Sequence, residues 1–255
     1  KDYSRSTMLM AKSCHDLDLI AWMKSGIRPV TVSSFGGNFQ FRPERAPVQS
    51  GERCVVDCPI ESDCLYSARK HYIDHPDRWA FYVWDSIEHI DNPTIEDKLE
   101  SLKTSPYGRC VWKCDNDVVD HQSVLIDFED GATATLNMIG GTARPGRYLH
   151  LVGTTGEIAG WVGDNRFSVY RIDPRPGREF SEEVVETGDE GDSSGAAGGH
   201  AGGDLRLVGD FLRVLRGQEP SISSTDLGDS IAGHLLGFCA DRSMEIGETV
   251  AVKFR

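Results

Sequence analysis

VVDHQSVLIDFEDGATATLNMI, residues Val118–Ile139, is the stretch that decides the fold. Two strand-like runs, Val118–Phe128 and Ala132–Ile139, flank Glu129-Asp130-Gly131, and Asp-Gly between such runs is a strong hairpin signal. Short runs continue at Tyr148–Val152, Glu157–Trp161, Phe167–Ile172 and Glu183–Thr187, with turns of Gly, Asn or Pro between them. Strands joined this tightly pair antiparallel, so the region reads as a meander and not as βαβ units. Val30–Phe35 upstream and Val250–Phe254 downstream add further strands. Helical spacing is confined to other places. Leu17, Ile20 and Ala21 recur on one face and stop at Gly26; Ser13 and Asp16 have the spacing of a capping box at its start. Thr94–Lys103, Asp204–Arg216 (with Leu205, Val208, Phe211, Leu212 and Leu215 on one side) and Asp226–Met244 are further helices, and Cys64–Ile73 reads as another. The sum predicts an α+β domain: a large, mostly antiparallel open sheet with helices on one face.

Composition narrows the function classes. The 255 residues suffice for a substantial core, and the net charge of −13 disfavours a nucleic-acid surface or docking on anionic lipid. No apolar run is long enough for a membrane helix, and KDYSRST at the start has no signal-peptide character, which points to a cytoplasmic protein. The start also lacks methionine, the mark of a fragment or a processed chain. No G-x-G-x-x-G and no G-x-x-x-x-G-K-[ST] occurs anywhere.

Seven cysteines, an odd number, fit reduced thiols. Cys54, Cys58 and Cys64 are concentrated in a Pro- and Gly-rich excursion at about residues 36–75. Three thiols plus Cys110, Cys114 or His71 supply the four ligands of a structural zinc; small apolar thiols are the alternative.

KSCHDLDLI (Lys12–Ile20), SSFG (Ser33–Gly36), RCVWKCDNDVVDHQ (Arg109–Gln122) and GGHAGGD (Gly198–Asp204), in that order and followed by a helix and a final strand, resemble the glucose–fructose oxidoreductase/inositol dehydrogenase (Gfo/Idh/MocA) family. The resemblance covers nearly the whole chain but only the family's C-terminal, substrate-binding domain, so residues 1–255 read as one α+β substrate-binding and oligomerisation domain without its N-terminal Rossmann domain. It implies NAD or NADP held mainly by that other domain, a sugar or cyclitol substrate, homo-oligomers formed through the sheet, and a fragment that is inactive alone.

The resemblance places the catalytic histidine at His15. Oxidising an alcohol requires its proton to leave as the carbonyl forms, and a neutral imidazole suits that task. The family's aspartate four residues earlier is Ala11 here; Lys12 takes some of that space, and its cation disfavours the imidazolium. Asp16 and Asp18 are placed to orient the ring or hold substrate hydroxyls, with Asp120 or His121, His200 and Asp204 as further substrate contacts. On the residues alone the structural reading of His15, a helix-start histidine, stands ahead of the catalytic one, and Gly188–Gly203 is equally a mobile loop with Asp204 capping the next helix. Two other functions fit the resemblance: an NAD-dependent glycosidase on the same scaffold, and a non-catalytic assembly or sugar-binding module.

Overall fold

A computed structural model describes residues 6–75, 83–187 and 203–254. The chain divides into two compact units, Lys1–Gly140 with Leu227–Arg255, and Gly141–Asp226.

In the first unit, strand β2 (His121–Phe128) alternates as its sequence requires: Gln122, Val124, Ile126 and Phe128 are buried, while His121, Ser123 and Leu125 are exposed. The Asp-Gly turn returns the chain as β3 (Thr133–Ile139), with Gly131 at φ +83°, a conformation only glycine adopts without strain. On its other edge β2 pairs antiparallel with β1 (Pro29–Gly37), Val32 facing Ile126 and Ser34 facing Val124. The closing strand β8 is short, Val250–Ala251, and completes a sheet of order β3-β2-β1-β8. The expected α+β class is therefore found, with its strands shared between two four-stranded antiparallel sheets.

Two helices cover the inner face, α1 (Cys14–Met23) and a long C-terminal helix, Leu227–Ile246. Leu9, Leu17, Val32, Val124, Ile126, Phe128, Leu236 and Ala240 form the core between helices and sheet. Leu9, Leu17 and Leu236 are completely buried, each worth about 1.5–3 kcal/mol relative to an exposed position. The helices touch at a glycine: a Cβ on Gly233 would lie 2.9 Å from the Asp18 Cα, so any larger residue there forces the backbones apart.

Helix α1 does not begin as the capping-box spacing predicts. A π-helical turn, Leu9–Ser13, runs directly into it, and Ser13 is buried without a capping bond. The cap is Thr7, whose Oγ1 accepts from the Met10 N–H at 3.2 Å. Burying Leu9 in the core favours an extra turn ahead of Cys14, which outweighs the local preference of Ser13. The predicted stop holds: the chain leaves the helix through Gly26 at φ +82°.

The long excursion after β1 carries short 3-10 turns at Pro43–Arg45 and Glu61–Asp63 and a π-helical turn at Lys70–Asp74, so the helix expected over Cys64–Ile73 is confined to its end. Helix α2 (Ile95–Thr104) starts with a capping box, Thr94 and Asp97 exchanging bonds. The second unit holds the meander, β4 (Arg147–Val152), β5 (Gly156–Val162), β6 (Arg166–Ile172) and β7 (Phe180–Glu186), followed by helix α3 (Gly203–Leu215); the C-terminal helix is α4. Gly156 and Gly160 sit where a Cβ would strike the neighbouring strand. Among the described residues no helix is long and apolar enough to cross a membrane.

A buried polar chain ties the sheet to α4. Gln122 Nε2 donates to Ser34 Oγ at 3.0 Å and to Asp241 Oδ1 at 3.3 Å, and the Ser34 N–H donates to Ser243 Oγ at 2.9 Å. Gln122 Oε1 and Asp241 Oδ2 are buried without a donor among the described residues. Burial pushes the Asp241 carboxyl above its usual range, with Glu245 adding to the rise and Thr7 and Gln122 opposing it. A raised folded-state value means that the protonated acid supports the fold: that support is present below the ordinary carboxyl value and is lost as pH rises through the raised one. Asp241→Asn is therefore expected to stabilise the protein by about 1 kcal/mol at pH 7, with the gain shrinking towards pH 4, as read by urea denaturation. A loss of stability at pH 7 would contradict this account of the carboxyl.

Candidate functional site

The candidate site is built on the outward side of α1. Leu9, Ser13, Leu17 and Ala21 are its buried residues, and this stripe sends Lys12 and His15 out, both exposed and one turn apart. Asp16 lies in the first turn of α1, where its charge complements the helix dipole. Asp18 differs from its neighbours: it is partly buried, beside Gly233 of α4, and its Oδ1 is buried with no hydrogen-bond partner among the described residues. Such an acceptor costs about 1–3 kcal/mol unless a donor reaches it.

A second constellation sits where β1 ends and β2 begins. As the alternation predicts, Asp120 is turned inward and His121 outward. Both Asp120 oxygens are engaged. They accept from the backbone N–H of Phe39 (3.0 and 3.1 Å), Gln40 (2.5 Å) and Phe41 (3.0 Å), and Oδ1 lies 2.9 Å from His121 Nδ1. Burial alone would raise this carboxyl, but the His121 ring and the three N–H groups outweigh it and hold Asp120 at about 2. The carboxylate thus anchors the Asn38–Phe41 loop and fixes one nitrogen of His121, leaving the other on the open face. Phe39 stands edge-on to the ring at 6.4 Å between centroids, and Arg45 is stacked 4.5 Å over the Phe39 ring. Sequence reasoning missed Phe39 and Arg45, because nothing in their spacing marks them. The glycine of SSFG has a clear cause: a Cβ on Gly36 would lie 2.7 Å from the His121 carbonyl oxygen.

Of the remaining candidates, Asp204 lies in the first turn of α3, in the second unit, and His200 falls outside the described residues. All seven cysteines are free thiols. Among the described residues no three His, Cys, Asp or Glu side chains already stand together as a metal site, so Cys54, Cys58 and Cys64 are not a preformed one. Burial pushes the Cys54 thiol up, against a hydrogen bond from the Ala68 backbone, and nearby Cys110, Cys64 and Cys58 push it further.

No protein-family model matches the sequence, and no curated protein does. Solved structures do. An NAD-binding oxidoreductase from Klebsiella pneumoniae is 14% identical, with a TM-score of 0.56, over 97% of this chain and 50% of its own. Levoglucosan dehydrogenase in complex with NADH is 12% identical at a TM-score of 0.56, again over 97% of this chain and 50% of its own. Gal80p from Saccharomyces cerevisiae, a super-repressor mutant, is 12% identical at 0.51 over 96% and 50%. The chain has the fold of one half of these proteins. It spans about half the length of each, in keeping with the C-terminal domain that the motifs predict.

The Asp120 anchor is directly testable. A depressed carboxyl stabilises the fold above its ordinary value near 4, and that contribution disappears as pH falls towards 2. Asp120→Asn is expected to cost about 2 kcal/mol at pH 7 and much less at pH 2.5, measured by denaturant unfolding of both proteins across that range. An equal penalty at both pH values would show that the charge is not what holds the loop.

Proposed function

We propose that this chain is the substrate-binding part of an NAD(P)-dependent oxidoreductase acting on a sugar or cyclitol, with His15 as its acid–base group. The observation that carries the reading is the outward presentation of His15 beside Lys12, on a helix whose opposite side is locked into the core. The shared fold with an NAD-binding oxidoreductase and a sugar dehydrogenase supports it. Phosphate recognition has no glycine-rich motif in this chain, so the dinucleotide is held mainly by a partner half, as the doubled length of those chains suggests.

When bound, the nicotinamide accepts or returns the hydride. The chain's own residues manage the proton. As the C–H hydride departs, the hydroxyl proton passes to the His15 imidazole and the C–O bond becomes a carbonyl; the return reaction reverses both transfers. Lys12, one turn away, adds positive charge near the developing oxyanion. Asp18, whose Oδ1 has no hydrogen-bond partner among the described residues, is a candidate acceptor for a second substrate hydroxyl, with Asp16 as a further contact. Asp120 acts by holding His121 and the loop. The open outer face of the first unit's sheet suits a homo-oligomer, and the cytoplasm suits seven free thiols.

A second reading has a specific support: the fold is shared with Gal80p, a repressor, and a fold hosts more than one function. A transient-oxidation glycosidase uses the same site and is distinguished by release of free sugar without net NADH. The test is steady-state kinetics of the chain joined to its dinucleotide-binding half, over a panel of sugars and cyclitols. His15→Ala is expected to lower kcat by about 10²–10⁴-fold with nicotinamide binding intact, and Asp18→Asn to raise KM more than it lowers kcat. Near-normal kcat in His15→Ala would refute the assignment, and the absence of any turnover in the parent would favour the non-catalytic module.

A further inference from the structure

Several of the contacts that hold the Cys-rich excursion join segments that carry its thiols. An isolated antiparallel bridge, Arg53 with Arg109, is made by the Cys54 N–H to the Gly108 carbonyl at 3.0 Å and the Cys110 N–H to the Glu52 carbonyl at 2.8 Å. Cys54 and Cys110 each adjoin a bridge partner, so alternation puts both on the same face of this small ladder. Arg53 secures it further, donating to the Leu102, Thr104 and Ser105 carbonyls at the end of α2. An aromatic column supplies the second constraint. Tyr66 packs edge-on against Phe41 at 5.3 Å and against Trp112 at 5.1 Å, which brings the segment two residues after Cys64 against the segment two residues after Cys110. Cys58 is tied to Cys64 through the Glu61–Asp63 turn, where the Glu61 N–H donates to the Cys58 carbonyl and the Cys64 N–H to the Glu61 carbonyl.

Two of these sulfurs already receive backbone donors. The Tyr66 N–H points at Cys64 Sγ at 3.4 Å, and the Ala68 N–H bonds to Cys54. Hydrogen bonds of this kind orient a thiolate and temper its charge, as outer-shell partners of metal ligands do. A cleft of about 500 Å³, lined by Cys54, Cys58, Glu61 and Arg69 among others, opens this cluster to solvent. The other ligand candidates near the cluster are engaged elsewhere: Cys114 Sγ donates to the Cys110 carbonyl at 3.3 Å, and His71 Nε2 lies 2.7 Å from the Leu65 carbonyl.

We propose that Cys54, Cys58, Cys64 and Cys110 bind one structural zinc ion, with Cys110, reached across the Arg53–Arg109 bridge, as the fourth ligand. Four thiolates in a tetrahedron with Zn–S near 2.3 Å are a closed structural set, leaving no position for substrate. Zinc binding brings the four sulfurs to one point and releases their protons. Its role is to fasten the excursion to the segment that leads into β2, independently of hydride chemistry.

The test uses the full chain, purified under reducing conditions without added chelator. The expected result is about one equivalent of zinc by elemental analysis. Reconstitution of the stripped chain with cobalt should give the intense sulfur-to-cobalt charge-transfer and d–d bands of a tetrahedral all-thiolate site. Cys110→Ser and Cys64→Ser should abolish those bands, while Cys114→Ser and Cys239→Ser keep them. Less than a tenth of an equivalent of zinc combined with only weak octahedral cobalt bands would overturn the proposal, whether or not the serine variants fold. Retention of the tetrahedral bands in Cys110→Ser would overturn the choice of fourth ligand, and recovery of fewer than seven thiols in the unreduced, metal-stripped chain would assign the cluster to disulfides.

Discussion

The complete burial of Leu17 is the contact on which the geometry of the site depends. With that side chain fixed in the core, the residue two positions earlier on the same helix has its direction decided, because two helical steps turn it through about 200°. His15 therefore faces outward for a reason rooted in packing. The close passage of α4 at Gly233 keeps the helix from rolling, and the buried turn at Leu9 extends the grip ahead of the histidine. A chemically suited group on a rigid element is what a catalytic constellation requires.

Three buried or half-buried carboxyl groups in the first unit show how differently one functional group is used. Asp120 is saturated with donors, so its charge is stabilised and it serves as an anchor. Asp241 has fewer donors than acceptor positions, and burial favours its neutral form. Asp18 keeps one oxygen without a partner within a turn of His15. Of the three, Asp18 lies on the same helix as the proposed acid–base group. The second constellation, Asp120 with His121, uses its carboxylate to orient an imidazole, the logic that catalytic pairs also exploit.

Much of this was readable from the residues. Alternation in His121–Phe128 and the Asp-Gly turn settled the hairpin, because strand period and turn chemistry both act locally. The meander and the four helices followed from the same signals. What escaped was decided by distant contacts. Ser13 has the spacing of a cap, yet Leu9 finds a place in the core and the helix starts earlier. Val250–Phe254 looks like a full strand, but only Val250 and Ala251 pair with β1. Asp120 gave no hint that three backbone amides some eighty positions upstream would converge on it. The cysteine spacing left the fourth member of the proposed zinc set open among three residues, and the Arg53–Arg109 bridge is the observation from which Cys110 is proposed.

The most direct test of the central claim is a crystal structure of this chain joined to its dinucleotide-binding half, with a nicotinamide cofactor and a sugar or cyclitol bound. The account predicts a His15 ring nitrogen within about 2.6–3.2 Å of the oxygen on the carbon that faces the nicotinamide. A substrate whose reacting oxygen is held by another proton acceptor, with His15 turned to bulk water, would contradict it.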